Sequence, residues 1–231
     1  MKMATGPSYR VAFRRRREGK TDYRLRRGLV LSGLPRLVVR GSLRNIGVQI
    51  VKAEVHGDRV ITSAHSDELS GKYSWLGDTG NISSAYLTGL LCGFKALGSG
   101  VKEVVLDIGL HYPSKSSMVF AALKGALDAG LTIPFDKEKL PDEKRMQGQH
   151  IVEYAKSLSS NPEAYQKQFS AQLARGLKPE DIGSHFTQVK EKIITSFGKA
   201  EAPRATETEA ESSAEEFKET EKEEKESMEE E

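Results

Sequence analysis

PRLVVRGSLRNIGVQIVKAEVHGDRVITSAHS, residues 35–66, alternates β-branched runs with polar punctuation. β-branched runs bounded by polar turn signals predict strands over 36–39, 46–54 and 59–64. Gly57-Asp58 between the last two is a hairpin signal, so three antiparallel strands are expected. Pro35 bars any preceding helix from running into them. C-terminal to this stretch the period changes. NISSAYLTGLLCGFKAL (81–97) repeats at helical spacing and ends in Gly98-Ser99-Gly100. Ala85, Gly89, Gly93 and Ala96 share one face of it. Glycine in a helix costs about 1 kcal/mol relative to alanine, so the row implies close approach of another backbone, expected to be the sheet. VKEVVLDIGL (101–110) reads as a buried strand centred on Val104, Val105 and Leu106. The helix SMVFAALKGALDA (117–129) then follows, with Ser114 or Ser116 as its cap and Gly130 at C′. The order βββαβα predicts an α/β fold in which three antiparallel strands and an α-β-α unit form one layered sheet-and-helix domain.

On the N-terminal side, residues 13–27 read FRRRREGKTDYRLRR, with eight Arg or Lys against Glu18 and Asp22. A like-charge block repels itself and stays solvated unless a polyanion neutralises it, so nucleic acid is the first partner considered. A targeting or merely solubilising segment has the same composition. Thr21 is placed to cap a helix over 22–31, with Asp22 at the positive end of its dipole and Gly33 beyond its stop. In that helix Leu25 and Leu29 fall on one side and Arg24 and Arg27 roughly opposite, so it can hold a core and phosphates at once. Gly19 allows the arm to bend before it.

The net charge of +2 conceals a strong polarity. Residues 1–44 carry +11, residues 45–200 carry +1 and residues 201–231 carry −10. Beyond Pro134 the chain is polar and helical. Asn161-Pro162 opens one helix at N-cap and N1, with Tyr165, Phe169 and Leu173 on one face and Gly176 at its end. Another begins near Ser184 and aligns Phe186, Val189, Ile193 and Phe197. The Glu-rich stretch 201–231 has the composition of a disordered segment. Four regions result: a basic N-terminal arm and short helix (1–34), an α/β core (35–134), a helical C-terminal extension (135–200) and an acidic disordered tail (201–231). No apolar run approaches the roughly 18–20 residues that span a bilayer, and no apolar segment follows the N-terminal charge as in a secretory signal, so neither membrane nor export is expected. The single Cys92 lies in an apolar helical pattern and reads as packed core in a reducing, cytoplasmic setting.

Two other classes compete. Asp107 near a strand end, with Glu54, Asp67 and Glu68 as candidate partners, admits a metal-dependent nuclease, although these acids form no metal motif. Ser70-Gly71-Lys72 lacks the rest of a phosphate loop, because Ser66 stands at the leading glycine and Tyr73 at the magnesium hydroxyl. The five His residues lack zinc spacing. No catalytic residue, metal ligand or cofactor is therefore assigned. The second competitor is a DNA-binding regulator, which the same arm would serve.

Five stretches, FRRRREGKTDYRLRRGL (13–29), PRLVVRGSLRNIGVQIV (35–51), NISSAYLTGLLCGFKAL (81–97), VVLDIGL (104–110) and SSMVFAALKGALDAGLTIP (116–134), occur in the order of one known family. The chain resembles the archaeal members of the universal L-eighteen family of large-subunit ribosomal proteins, which is similar to the eukaryotic L-five proteins. The resemblance spans about residues 7–198. It implies a ribonucleoprotein component without catalysis that binds 5S rRNA and helps attach it to large-subunit (23S) rRNA at the central protuberance. Neighbouring large-subunit proteins, including the other 5S rRNA-binding protein, are implied partners, in the cytoplasmic ribosome. Carried over by motif, the implied RNA-binding residues are Arg10, Arg14, Arg15, Arg16, Arg17, Lys20, Tyr23, Arg24, Arg26 and Arg27 in the arm. Arg40, Ser42, Arg44 and Asn45 follow in RGSLRNI, and His111, Tyr112, Lys115 and Ser116 in HYPSKSS. These types suit RNA: arginine bonds phosphate bidentately and stacks on bases, tyrosine can stack, and Asn45 offers a donor and an acceptor to a base edge or a 2′-hydroxyl. Read as residues alone, Arg40, Arg44 and Asn45 also suit a polar turn, His111 and Tyr112 a loop packed on the domain, and Tyr23 a helix contact.

Overall fold

The β-branched stretch forms the sheet. In a computed structural model, which describes Gly6 and residues 9–197, a one-turn helix α1 (Arg14–Arg17) and helix α2 (Tyr23–Leu31) precede three strands, β1 (Arg36–Gly41), β2 (Ile46–Glu54) and β3 (Gly57–His65). The acidic segment 201–231 lies outside the described residues. After β3 come α3 (Ser66–Lys72), α4 (Ile82–Gly98), β4 (Val105–Asp107) and α5 (Met118–Asp128). Four more helices, α6 (Glu143–Met146), α7 (Gln149–Leu158), α8 (Pro162–Ala174) and α9 (Ile182–Ser196), complete the described chain. The sheet order is β3-β2-β1-β4, antiparallel except where β4 joins β1 in parallel. None of the described helices is long and apolar enough to cross a membrane.

Side chains alternate as the pleat requires. Leu37, Val39, Val48 and Ile50 are buried beneath α4 and α5, while Arg36, Val38, Arg40, Gln49 and Val51 point to the other face, which α2 only partly covers. The β2–β3 turn is Val55-His56, because Glu54 pairs with Gly57 and Gly57 already begins the strand. The expected turn at Gly57-Asp58 is thus displaced by two residues. The fourth strand is shorter than its apolar run: Val104 instead donates its N–H to Thr132 O at 3.1 Å, and Gly109, at φ 66°, turns the chain away.

Helix ends also correct the sequence reading. Asp22, not Thr21, caps α2 by accepting from the N–H groups of Arg24 and Leu25; Thr21 Oγ1 accepts from Arg15 Nε at 2.9 Å. Neither Ser114 nor Ser116 caps α5. Ser117 takes the N-cap position without a side-chain bond, while Ser116, at φ 57°, donates its N–H to Lys139 O. Asn81 caps α4 reciprocally with Ser84, and Asn161 caps α8.

The small-residue face of α4 packs against α5 and not against the sheet. A Cβ built on Gly89 would strike the Ala122 carbonyl oxygen and lie 2.7 Å from its carbon; one on Gly93 would lie 2.5 Å from Ala129 Cβ. Gly125 of α5 returns the contact, since its Cβ would lie 2.7 Å from Leu90 N. Small-residue rows bring either kind of neighbour close, and only the tertiary packing selects which. The amphipathic face of α9 lies on this layer: Ile182, Phe186, Val189 and Ile193 are buried in the same core, Phe186 meets Tyr86 at 5.5 Å and Phe197 stacks on Phe94 at 5.7 Å. On α8, Phe169 is covered by Tyr165 and by Tyr154 of α7. Cys92 is buried against β2, where its Sγ lies 3.7 Å from Val48 O.

Candidate nucleic-acid interface

Four consecutive arginines make up α1, and all four are exposed. Residues 14–17 close one turn because Arg16 and Arg17 donate their N–H groups to Phe13 O, and Gly19, at φ 62°, ends it. Lys20 and Arg14 share Glu18, at 3.0 and 3.6 Å, in solvent-exposed pairs of small worth. The Phe13 ring packs on Tyr23 at 5.1 Å, so Tyr23 makes a contact between arm and helix. Arg10, Arg24 and Arg27 are exposed. The arm therefore presents most of its guanidinium groups to solvent, near one another.

Arg26 departs from this pattern. Its two Nη atoms donate to the two Asp58 carboxylate oxygens at 2.8 and 2.7 Å, tying α2 to the start of β3. Asp58 also lies 2.8 Å from Nη2 of Arg36, a contact held by charge more than by in-line hydrogen bonding. Burial alone would raise the Asp58 carboxyl, but the two guanidinium groups outweigh it and hold it below the usual carboxylate range. Arg36, 3% exposed, then donates to Asp107 at 2.8 Å. Asp107 in turn accepts from Arg40 Nη2 at 3.0 Å and from Gly109 N at 2.9 Å, and its backbone oxygen accepts from Arg40 Nη1. The result is a chain of alternating charge, Arg26–Asp58–Arg36–Asp107–Arg40, across the outer sheet face. In the sequence Asp58 reads only as a turn residue and Arg36 only as the start of a strand, although alternation places Arg36 on the same face as Arg40.

The 42–45 turn is closed internally: Ser42 N–H and Oγ both donate to Asn45 O, and Asn45 N donates back to Ser42 Oγ. The Asn45 amide, with its nitrogen toward the acceptors, reaches Asp67 Oδ1 at 3.0 Å and Thr79 Oγ1 at 2.8 Å. Its hydrogen-bonding capacity goes to the fold. What the turn offers outward is Arg44 and Leu43, the latter 99% exposed. At the same end of the sheet, His111 and Tyr112 stand in solvent and Lys115 pairs with Glu138 at 2.9 Å. The ion-pair chain runs from the arm's helix to the strand ends that carry these loops.

The acids weighed for metal chemistry are engaged elsewhere. Asp107 is held as above, Glu68 by Lys95 at 2.8 Å, Asp67 by the Asn45 amide at 3.0 Å and Glu54 by Arg59 at 3.8 Å. For Glu68, partial burial opposes ionisation, yet Lys95 and Lys72 and the His65 N–H lower its affinity for protons. Among the described residues no three acidic, His or Cys side chains are grouped to hold a metal.

Comparison with known proteins agrees with this architecture. The model of a family described as "Ribosomal large subunit proteins 60S L5, and 50S L18" matches residues 7–101 and 98–136. The chain is 52% identical over 201 residues to "Large ribosomal subunit protein uL18" of Caldivirga maquilingensis, covering 87% of this chain and 97% of the relative. It is 54% identical over 192 residues to the protein of the same name from Aeropyrum pernix, covering 83% and 90%. With matches this long and this close, the chain belongs to the family of large ribosomal subunit proteins uL18.

Proposed function

We propose that the chain binds 5S rRNA and helps attach it to 23S rRNA at the central protuberance, beside neighbouring large-subunit proteins that include the other 5S rRNA-binding protein. As a member of its family it is a structural constituent of the large ribosomal subunit and not an enzyme. The observation that carries the finer reading is the arm: four exposed arginines on one turn of helix, with Arg24 and Arg27 exposed on the helix that follows. A-form RNA hides its base edges in a deep, narrow groove, so a folded protein grips it through phosphates and 2′-hydroxyls, which a flexible guanidinium cluster can follow. Arg10, Lys20, Tyr23, Arg26, Arg40, Ser42, Arg44, Asn45, His111, Tyr112, Lys115 and Ser116 complete the proposed contact set. Arg26, Ser42 and Asn45 act mainly by fixing the shapes that present the others.

The test is salt dependence. Replacing Arg14–Arg17 with alanine removes up to four phosphate contacts and should flatten the slope of log affinity for 5S rRNA against log salt by about 3 units. Thermal unfolding should be unchanged, because these side chains are exposed. An unaltered slope would show that the arm does not touch phosphate.

A further inference from the structure

We infer that the cleft between α2 and the open face of the sheet receives one unstacked RNA nucleotide. This rests on the RNA-binding reading and names a contact within it. The cleft encloses about 300 Å³, at the lower end of small-molecule sites, which run from about 300 to 1,000 Å³. Aliphatic side chains line it from both elements: Val38, Val51 and Val60 from the sheet, Leu25 and Leu29 from the helix. Two of these are left open to water, Val60 at 48% and Leu25 at 44% exposure. A slot lined by aliphatic side chains on two sides matches the flat faces of a base.

Its charged lining favours an anion. Five cations line it, Arg15, Lys20, Arg26, Arg36 and Arg40, against three carboxylates, Asp22, Asp58 and Asp107, for a net of +2. Each carboxylate already faces donors: Asp22 the N–H groups of Arg24 and Leu25, Asp58 the guanidinium groups of Arg26 and Arg36, and Asp107 those of Arg36 and Arg40. Arg40 is held in place, because its guanidinium lies flat against Gly109, where a Cβ would fall 2.8 Å from Cζ. Arg15, Lys20 and Arg40 therefore stand where a nucleotide phosphate would lie at the mouth. Gln49 contributes an exposed amide to the lining, a donor and acceptor within reach of a base edge. A stacked duplex cannot enter so small a slot, whereas a base from a loop or bulge can.

The experiment uses the full chain and native 5S rRNA, with base-specific chemical footprinting, equilibrium binding and its salt slope. Wild type should protect the Watson–Crick edge of one loop or bulge nucleotide. Val60→Trp fills the slot from a half-exposed position; it should lose that protection and bind about 10-fold more weakly, which is about 1.4 kcal/mol. The salt slope should flatten by no more than about 1 unit, the share of the single phosphate at the mouth. Gln49→Ala should lose protection at the same nucleotide, and it serves as the second variant if thermal unfolding shows Val60→Trp to be misfolded. If both variants bind and protect as wild type does, the cleft assignment is overturned while the RNA-binding reading stands. If wild type does not bind 5S rRNA, both fall together.

Discussion

Gly89→Ala adds one methyl group where α4 and α5 touch backbone to backbone. The new Cβ would lie 2.7 Å from the Ala122 carbonyl carbon and 2.8 Å from its Cα, besides striking the oxygen. Carbon atoms rest at about 3.5–4.0 Å, so the helices must part by about 1 Å, and a gap of that size forfeits a quarter to a half of each contact along the seam. The seam is long, because Gly125 on α5 is as close to the α4 backbone, and a Cβ on Gly93 would lie 3.3 Å from the Ala126 backbone. Overpacking typically costs about 1–3 kcal/mol, and here neither partner is a side chain that can rotate away, so the cost lies at the upper end. The better helix propensity of alanine returns about 1 kcal/mol. The net expectation is a loss of about 2 kcal/mol, which lowers Tm by roughly 4–8 °C for a domain of this size. Gly98→Ala is the internal control: it lies at the end of the same helix with open space around its Cβ, and it should be neutral or stabilising by up to about 1 kcal/mol. Urea unfolding followed by far-ultraviolet circular dichroism measures both. A Gly89→Ala protein as stable as wild type would refute the backbone-contact reasoning.

Three further outcomes follow from the packed charges and the thiol. Asp58→Asn should destabilise the fold by about 1–3 kcal/mol, because buried Arg36 loses one of its two carboxylates. Since the Asp58 carboxyl is held below 3.8, its contribution is complete above that pH and disappears as pH falls through the lower folded value; the wild-type advantage over Asp58→Asn should therefore shrink in urea titrations run from pH 5 down to pH 3. His185 stacks on Trp75 and its Nε2 accepts from Leu76 N at 3.0 Å, and burial, then Lys192, lowers its proton affinity. The unfolded chain binds that proton more readily, so stability should fall as pH drops below 6.5, with His150, lowered chiefly by burial, adding to the same slope; a His185→Asn protein should show a shallower decline, and an equal one would refute the assignment. Burial pushes the Cys92 thiol up to about 12, so a thiol reagent at pH 8 should label it only in denaturant; rapid labelling of the native protein would contradict its place under the sheet.

Local chemistry was legible wherever one residue's neighbours in the chain decide its state. The β-branched runs and turn signals in 35–66 predicted β1, β2 and β3 closely, since such side chains fit a pleated surface whatever it packs against. Asn161 announced its helix because a cap bonds backbone only three residues away. The density of arginine in 13–27 marked an exposed cationic arm, because so much like charge cannot be buried. Which backbone the glycine row of α4 would meet was not legible: a small face invites close approach without naming the partner, and α5 takes it. Nor was the fate of Asn45, whose amide is drawn into the fold by Asp67 and Thr79, residues far along the chain. The ion-pair chain from Arg26 to Arg40 is likewise a product of tertiary structure. It needs β4 laid parallel beside β1 and α2 laid across the sheet, and attraction between charges 71 residues apart, such as Arg36 and Asp107, is decided by distance in space and not by distance along the chain.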